Sequence, residues 1–205
     1  MLDRLDRVAH RGEDHVESIV AVLCDAFAGY PVMRFVLGPG GGQSPDRPHR
    51  LVSFFLAARL LRREAVFGVF DGADLVAVAT TSDPHGPPSP PELALLREEV
   101  WRELGADARA RYEAYGAVAG SFFGDRPHVH LNMLGVRNTH QGRGLGRGLL
   151  EAVHSFSRDD PRSEGVSLTT EDPRNVAWYE AAGYEVVGHA PISDSLESWG
   201  LFRSR

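Results

Sequence analysis

The sequence predicts an α/β protein, with a mixed sheet of about seven strands and helices on both faces. Three observations lead there. Short apolar, β-branched runs alternate with longer stretches of helical spacing. An early pair of such runs is joined by a tight turn, and a strand–helix–strand–helix–strand unit follows late in the chain. The length, 205 residues, suits one domain spanning 1–205.

Leu5 to Ala9 reads as the first strand. From Glu13 to Phe27 apolar residues recur at Val16, Ile19, Val20, Leu23 and Phe27, one face of a helix that Tyr30-Pro31 ends. Positions 38–48 (GPGGGQSPDRP) read as a loop able to act as a lid, and Arg50 to Arg63 as a second helix. Ala65 to Phe70 and Leu75 to Thr81 form a hairpin across the turn DGAD. A proline-rich loop over 83–91, placed to border a site entrance near Pro87, precedes a helical region from Glu92 to Phe123 broken near Gly105. Then come a strand (Val129 to Val136), a helix (Gly144 to Phe156), a strand (Gly165 to Thr170), a short helix (Arg174 to Ala182) and two closing strands, Tyr184 to Gly188 and Leu196 to Phe202.

Composition removes whole classes of chemistry. All 22 basic residues are arginine. Without lysine there is no Schiff-base nucleophile and no P-loop lysine. The net charge is −6 with no dense basic stretch, so no nucleic-acid partner is expected. No apolar run is long enough to span a bilayer, and no membrane partner is expected. The single cysteine, Cys24, excludes an internal disulfide, reads as a small buried side chain and fits a cytoplasmic protein.

The chemistry concentrates in Leu131 to Leu150, LNMLGVRNTHQGRGLGRGLL. A strand runs into a turn with alternate glycines (Gly142, Gly144, Gly146) and then into a helix. Such a turn lets backbone approach a ligand, and the free N–H groups and dipole of the helix start attract phosphate. Arg143 and Arg147 add positive charge. The dinucleotide fingerprint G-x-G-x-x-G fails, because Arg147 or Leu149 stands where its last glycine belongs.

What fits is Q-x-x-G-x-G, as Gln141-Gly142-Arg143-Gly144-Leu145-Gly146. It resembles the pyrophosphate loop of the GNAT superfamily of N-acetyltransferases. Asn175-Val176-Ala177-Trp178-Tyr179-Glu180-Ala181-Ala182-Gly183-Tyr184 resembles that family's asparagine–tyrosine–glycine segment, with the spacing shifted so that Tyr179 lies four residues after Asn175. Ala26 to Pro31 and the aromatic pair Phe54-Phe55 resemble, in layout, puromycin N-acetyltransferase-like members.

The resemblance implies the GNAT fold, whose sheet is mixed but mostly antiparallel, and acetyl-CoA as co-substrate. An amine then attacks the thioester directly. Backbone groups from Gly142 to Arg147, with Gln141 and Leu145 in the same loop, would hold the pyrophosphate. Leu134 and Val136 would pair with the pantetheine arm, a backbone N–H near Leu134 would polarise the thioester carbonyl, and Asn175 would hydrogen-bond the pantetheine or cap its own helix. Tyr179, a phenol protonated at neutral pH, would protonate the departing thiolate. For the base that frees the amine, His130 and Glu171 are rivals, and a water relay is a third route.

His128 and His130 share one strand face, but no third ligand stands at metal spacing and no metal is expected. Phe27, Tyr30, Phe54, Asn132 and Trp199 are candidate acceptor contacts. The acceptor is expected to be a small-molecule amine, because the insertion from Glu92 to Phe123 closes a pocket. A protein or peptide N-acetyltransferase and a non-catalytic acyl-CoA sensor are the alternatives. Oligomeric state stays open at this point; the resemblance allows a homodimer, with the closing strand from Leu196 able to pair between chains.

Overall fold

The computed structural model describes residues 15–39 and 46–205 in full and residues 5–7 as backbone. Its sheet has seven strands: β1 (Leu5–Arg7), β2 (Val66–Asp71), β3 (Asp74–Ser82), β4 (Val129–Val136), β5 (Gly165–Thr170), β6 (Glu185–Ser193) and β7 (Leu196–Ser204). They lie in the order β1-β2-β3-β4-β5-β7-β6. Every neighbouring pair is antiparallel except β4–β5, which is parallel, so the sheet is mixed and mostly antiparallel as expected.

Helices cover both faces. On one face lie α1 (Val16–Ala26), α2 (Pro31–Leu37), α3 (Asp46–Leu61), α4 (Pro91–Leu104) and α5 (Ala106–Ala119). Their apolar sides meet Val66, Val78 and Met133 of the sheet in one buried cluster. On the other face α6 (Leu145–Asp159) buries Leu145, Leu149, Leu150 and Val153, and α7 (Pro173–Glu180) packs beside it. Truncating one of those leucines to alanine would cost about 2–5 kcal/mol.

Several boundaries differ from the sequence reading. Pro31 does not simply end a helix. It opens α2 as the first helical residue, where its missing N–H costs nothing. Of the loop expected over 38–48, positions 40–45 lie outside the described residues, and Asp46 already begins α3. β6 runs on to Ser193 through Pro191, a residue that an edge strand tolerates. The closing strand β7 is not an edge at all: β5 pairs along one side and β6 along the other. Its β5-facing ladder is in use from Trp199 to Ser204, so over that stretch it has no free edge for the chain-to-chain pairing expected from Leu196. No single described helix is long and apolar enough to cross a membrane.

The functional consequence of this fold lies in β4. Its register against β3 jumps from Thr80↔Met133 to Thr81↔Leu131, leaving Asn132 as an extra, bulged residue. The bulge flips the alternation: Val129 and Leu131 face α6, whereas Met133 belongs to the cluster under α1–α5.

Candidate active site

Beyond the bulge, β4 and β5 part. They pair only from Val129↔Val166 to Leu131↔Leu168. Arg137 donates its N–H to Val76 O of β3 at 2.9 Å. Backbone polar groups of successive strand residues point to opposite edges. Gly135 therefore turns towards β3 like Arg137, while Leu134 and Val136 turn away, into the gap left by β5. The Val136 carbonyl fits this direction, since it accepts from Gln141 Nε2 at 3.3 Å instead of from β3. The gap thus holds an unused strip of ladder at Leu134 and Val136.

At the upper end of the strip β4 turns into α6. Gly142 (φ 74°) and Gly144 (φ 83°) occupy the left-handed region, which glycine enters without steric cost. Gly144 is the helix cap and provides no side-chain acceptor, so the N–H groups of Leu145, Gly146 and Arg147 open α6 uncapped. The Leu145 side chain is core, so only its backbone can face a ligand. Gln141 also donates to Asn138 Oδ1 at 3.0 Å and braces the turn. Arg143 pairs with Asp71 of the β2–β3 turn at 3.2 Å. Arg147 is exposed on the first helical turn and lines the cleft.

Across the gap α7 presents Asn175 and, one turn on, Tyr179. The cap of α7 is Asp172, whose carboxylate accepts from Arg174 N at 3.0 Å. Asn175 is therefore inside the helix and does not cap it. Its Nδ2 instead donates to Thr170 Oγ1 at 3.2 Å. Tyr179 stands edge-on to Trp178 and Tyr184 and lines the cleft. Burial first, then the nearby Tyr30 and Glu171, holds its phenol well above the ordinary range.

Glu171 follows β5 and is 6% exposed. Ser198 donates to its Oε1 at 2.9 Å, and its backbone N–H donates to the Tyr30 hydroxyl at 3.2 Å. Burial pushes the carboxyl up to about 7, against hydrogen bonds from Ser198, Tyr115 and Tyr30 that favour the anion. His130, its rival, faces the same side of the sheet, with Nδ1 2.7 Å from Ser167 Oγ. Burial, and then the charges of His128 and Arg59, push His130 down to about 3. Among the described residues no three His, Cys, Asp or Glu side chains group as a metal site.

These elements line one cleft of about 1450 Å³ that runs from the α6 turn to α3, α4 and α5. Phe27, Tyr30, Phe54 and Asn132 reach it, and so do Pro84 and Ser89 of the proline-rich loop. Trp199 does not: it stacks on His189 at 4.5 Å. Cys24 is half-buried and its thiol is pushed up by burial, away from reactivity.

Residues 101–186, from α4 through the gap to β6, match the family model of the acetyltransferase (GNAT) domain. That segment, 86 of the 205 residues, is similar to a GNAT acetyltransferase domain. Acetyl-CoA is the acyl donor of that family.

Solved structures share the fold along 97–100% of the chain. A histone acetyltransferase HPA2-related protein of Corynebacterium glutamicum is 20% identical, with a TM-score of 0.67 over 100% of this chain and 97% of that one. The polyamine N-acetyltransferase of Drosophila melanogaster is 18% identical, with a TM-score of 0.64 over 97% of both chains. A chain of the NatC complex bound to Gag peptide and CoA is 13% identical, with a TM-score of 0.57 over 98% of both.

Around this cleft the sequence reading missed Tyr115, Ser167, Ser198 and Arg59. Part of the signal was present. Ser167, Thr169 and Glu171 alternate with the buried Val166 and Leu168, a polar stripe on one face of a core strand. Tyr115 closes over it, its hydroxyl 3.0 Å from Thr169 Oγ1. Arg59 and Ser198 carry no local signal, because only tertiary packing brings them in.

Proposed function

We propose that the chain is one acyltransferase domain that moves the acetyl group of acetyl-CoA onto a primary amine of a small molecule. The observation that carries this reading is Glu171, a buried carboxyl tuned to about 7 beside the gap in a cleft roofed by α4 and α5.

In this reading the α6 turn takes the pyrophosphate on backbone N–H groups, and the freed edge of β4 pairs with the pantetheine arm. That aligns the thioester carbonyl with an N–H near Leu134. Glu171 accepts a proton from the incoming ammonium. The free amine attacks the carbonyl carbon, the C–S bond breaks as Tyr179 gives its proton to the thiolate, and the proton shed by the new amide nitrogen restores the Tyr179 hydroxyl. Glu171 suits the base because its pKa lies near neutrality, where a base is both available and strong enough to act. A histidine held near 3 is unprotonated but a feeble base, so His130 is assigned to positioning through Ser167.

The roof favours a small acceptor over a peptide, which needs an open groove. The test is thiol release from acetyl-CoA across a panel of small amines and short peptides. Release with a small amine supports the reading. Release with peptides alone replaces it with protein N-acetylation. Acetyl-CoA binding with no release, unchanged by Tyr179→Phe, makes the chain a sensor. The absence of lysine helps the assay, because no side-chain amine of the enzyme itself can take the acetyl group.

A further inference from the structure

The far end of the cleft is electropositive, and no described carboxylate reaches its wall to balance it. Arg59, Arg62 and Arg97 line it. Arg59 and Arg62 are 20% and 19% exposed and share one carboxylate, Glu64, at 3.1 and 2.8 Å. Glu64 is 8% exposed and sits behind them, off the cleft wall. Two guanidinium groups against one carboxylate leave one positive charge, and Arg97 adds another.

Arg59 is also fixed in direction: its Nη1 donates to Asn132 Oδ1, on the β4 bulge, at 3.2 Å. Asn132 follows Leu131, the last β4 residue paired with β5, whose partner is Leu168. Glu171 stands three residues beyond Leu168, about 10 Å along the chain at the rise of a strand. A negative group for an ammonium and a positive group for an anion thus line the same cleft. Phe54 and Tyr112 complete that end of the wall.

We infer that the acceptor is a small amino acid-like molecule, an amine that also bears a carboxylate, with its carboxylate held by Arg59 and the arginines beside it. The inference rests on the transferase reading for the position of the amine. A guanidinium fork matches a carboxylate in two parallel hydrogen bonds. A polyamine would instead bring a second ammonium against Arg59 and Arg97.

The test is calorimetry on the CoA-loaded protein with two product pairs: N-acetylphenylalanine and its amide, and N-acetyl-β-alanine and its amide. The acid of at least one pair should bind at least tenfold more tightly than its amide. That preference should vanish in Arg59→Gln and shrink in Arg97→Gln, an exposed position whose replacement leaves the fold intact. Amides binding as well as acids, or no binding by either acid, overturns the inference.

The two readings fail separately. Thiol release with polyamines but not with amino acids sinks the carboxylate site and keeps the transferase. Acid-selective binding without thiol release with any amine keeps the carboxylate site and sinks the transferase.

Discussion

The two ends of the cleft are built in different ways. The cofactor end is one continuous stretch, from Leu134 to Arg147, and works through backbone: a freed strand edge, two left-handed glycines and the bare start of α6. The acceptor end draws single side chains from α3, α4, α5, β4 and β5. Backbone recognition demands a spacing, which a sequence displays. Side-chain recognition demands a meeting in space, which a sequence conceals.

The comparison is most exposed at Glu171. Glu171→Gln should lower kcat by about 10²–10³-fold, the scale of a lost general base. It should also remove the rise of kcat/KM through pH 7 while leaving acetyl-CoA affinity within about twofold. An unchanged pH profile would break the assignment.

The same variant has a stability signature. The Glu171 carboxyl titrates near 4.5 when unperturbed and near 7 when folded. The folded state thus favours the neutral form, and that stabilisation is full below about 4.5 and lost as pH rises through about 7. Relative to the wild type, Glu171→Gln should therefore melt at a higher temperature at pH 8 than at pH 5, as thermal denaturation at the two pH values would show.

Tyr179→Phe comes next, with kcat lower by about 10–10²-fold at saturating acetyl-CoA and an unchanged melting temperature. Gly144→Ala tests the other end. It forces a side chain into the left-handed region at about 1–2 kcal/mol, and calorimetry should show acetyl-CoA binding about tenfold more weakly with kcat little changed. The smallest effect is expected at His130→Gln, under about threefold in kcat with the pH profile in place. A shifted profile there would restore His130 as the base.

Legibility in the sequence follows the same division. The β2–β3 hairpin, β4, β5 and the start of α6 stand close to where apolar runs and turn residues put them, because local pattern and tertiary demand agree there. The short α2 escaped because Pro31 was read as a stop, while it equally serves as a first helical residue. The interior place of β7 escaped because strand order is decided by long-range pairing. At the site, the α6 turn was legible from its glycines. Glu171 stood level with His130 as a candidate until burial separated them, sending one towards 7 and the other towards 3. Burial at that depth is a property of α5 closing over β5, and nothing near either residue in the chain encodes it.

The bulge at Asn132 and the short β4–β5 ladder have a mechanical side. Three residue pairs join the plate β1–β4 to the plate β5–β7–β6, so the sheet is notched nearly at its middle. A cofactor arm laid along Leu134 and Val136 would be a keystone as well as a reagent, knitting the two plates above the notch. Glu171 and Tyr179 ride on the second plate and the arginines on elements packed against the first. The distance between the two halves of the acceptor's seat is then set by whatever fills the notch, and the enzyme should take its thioester before its amine.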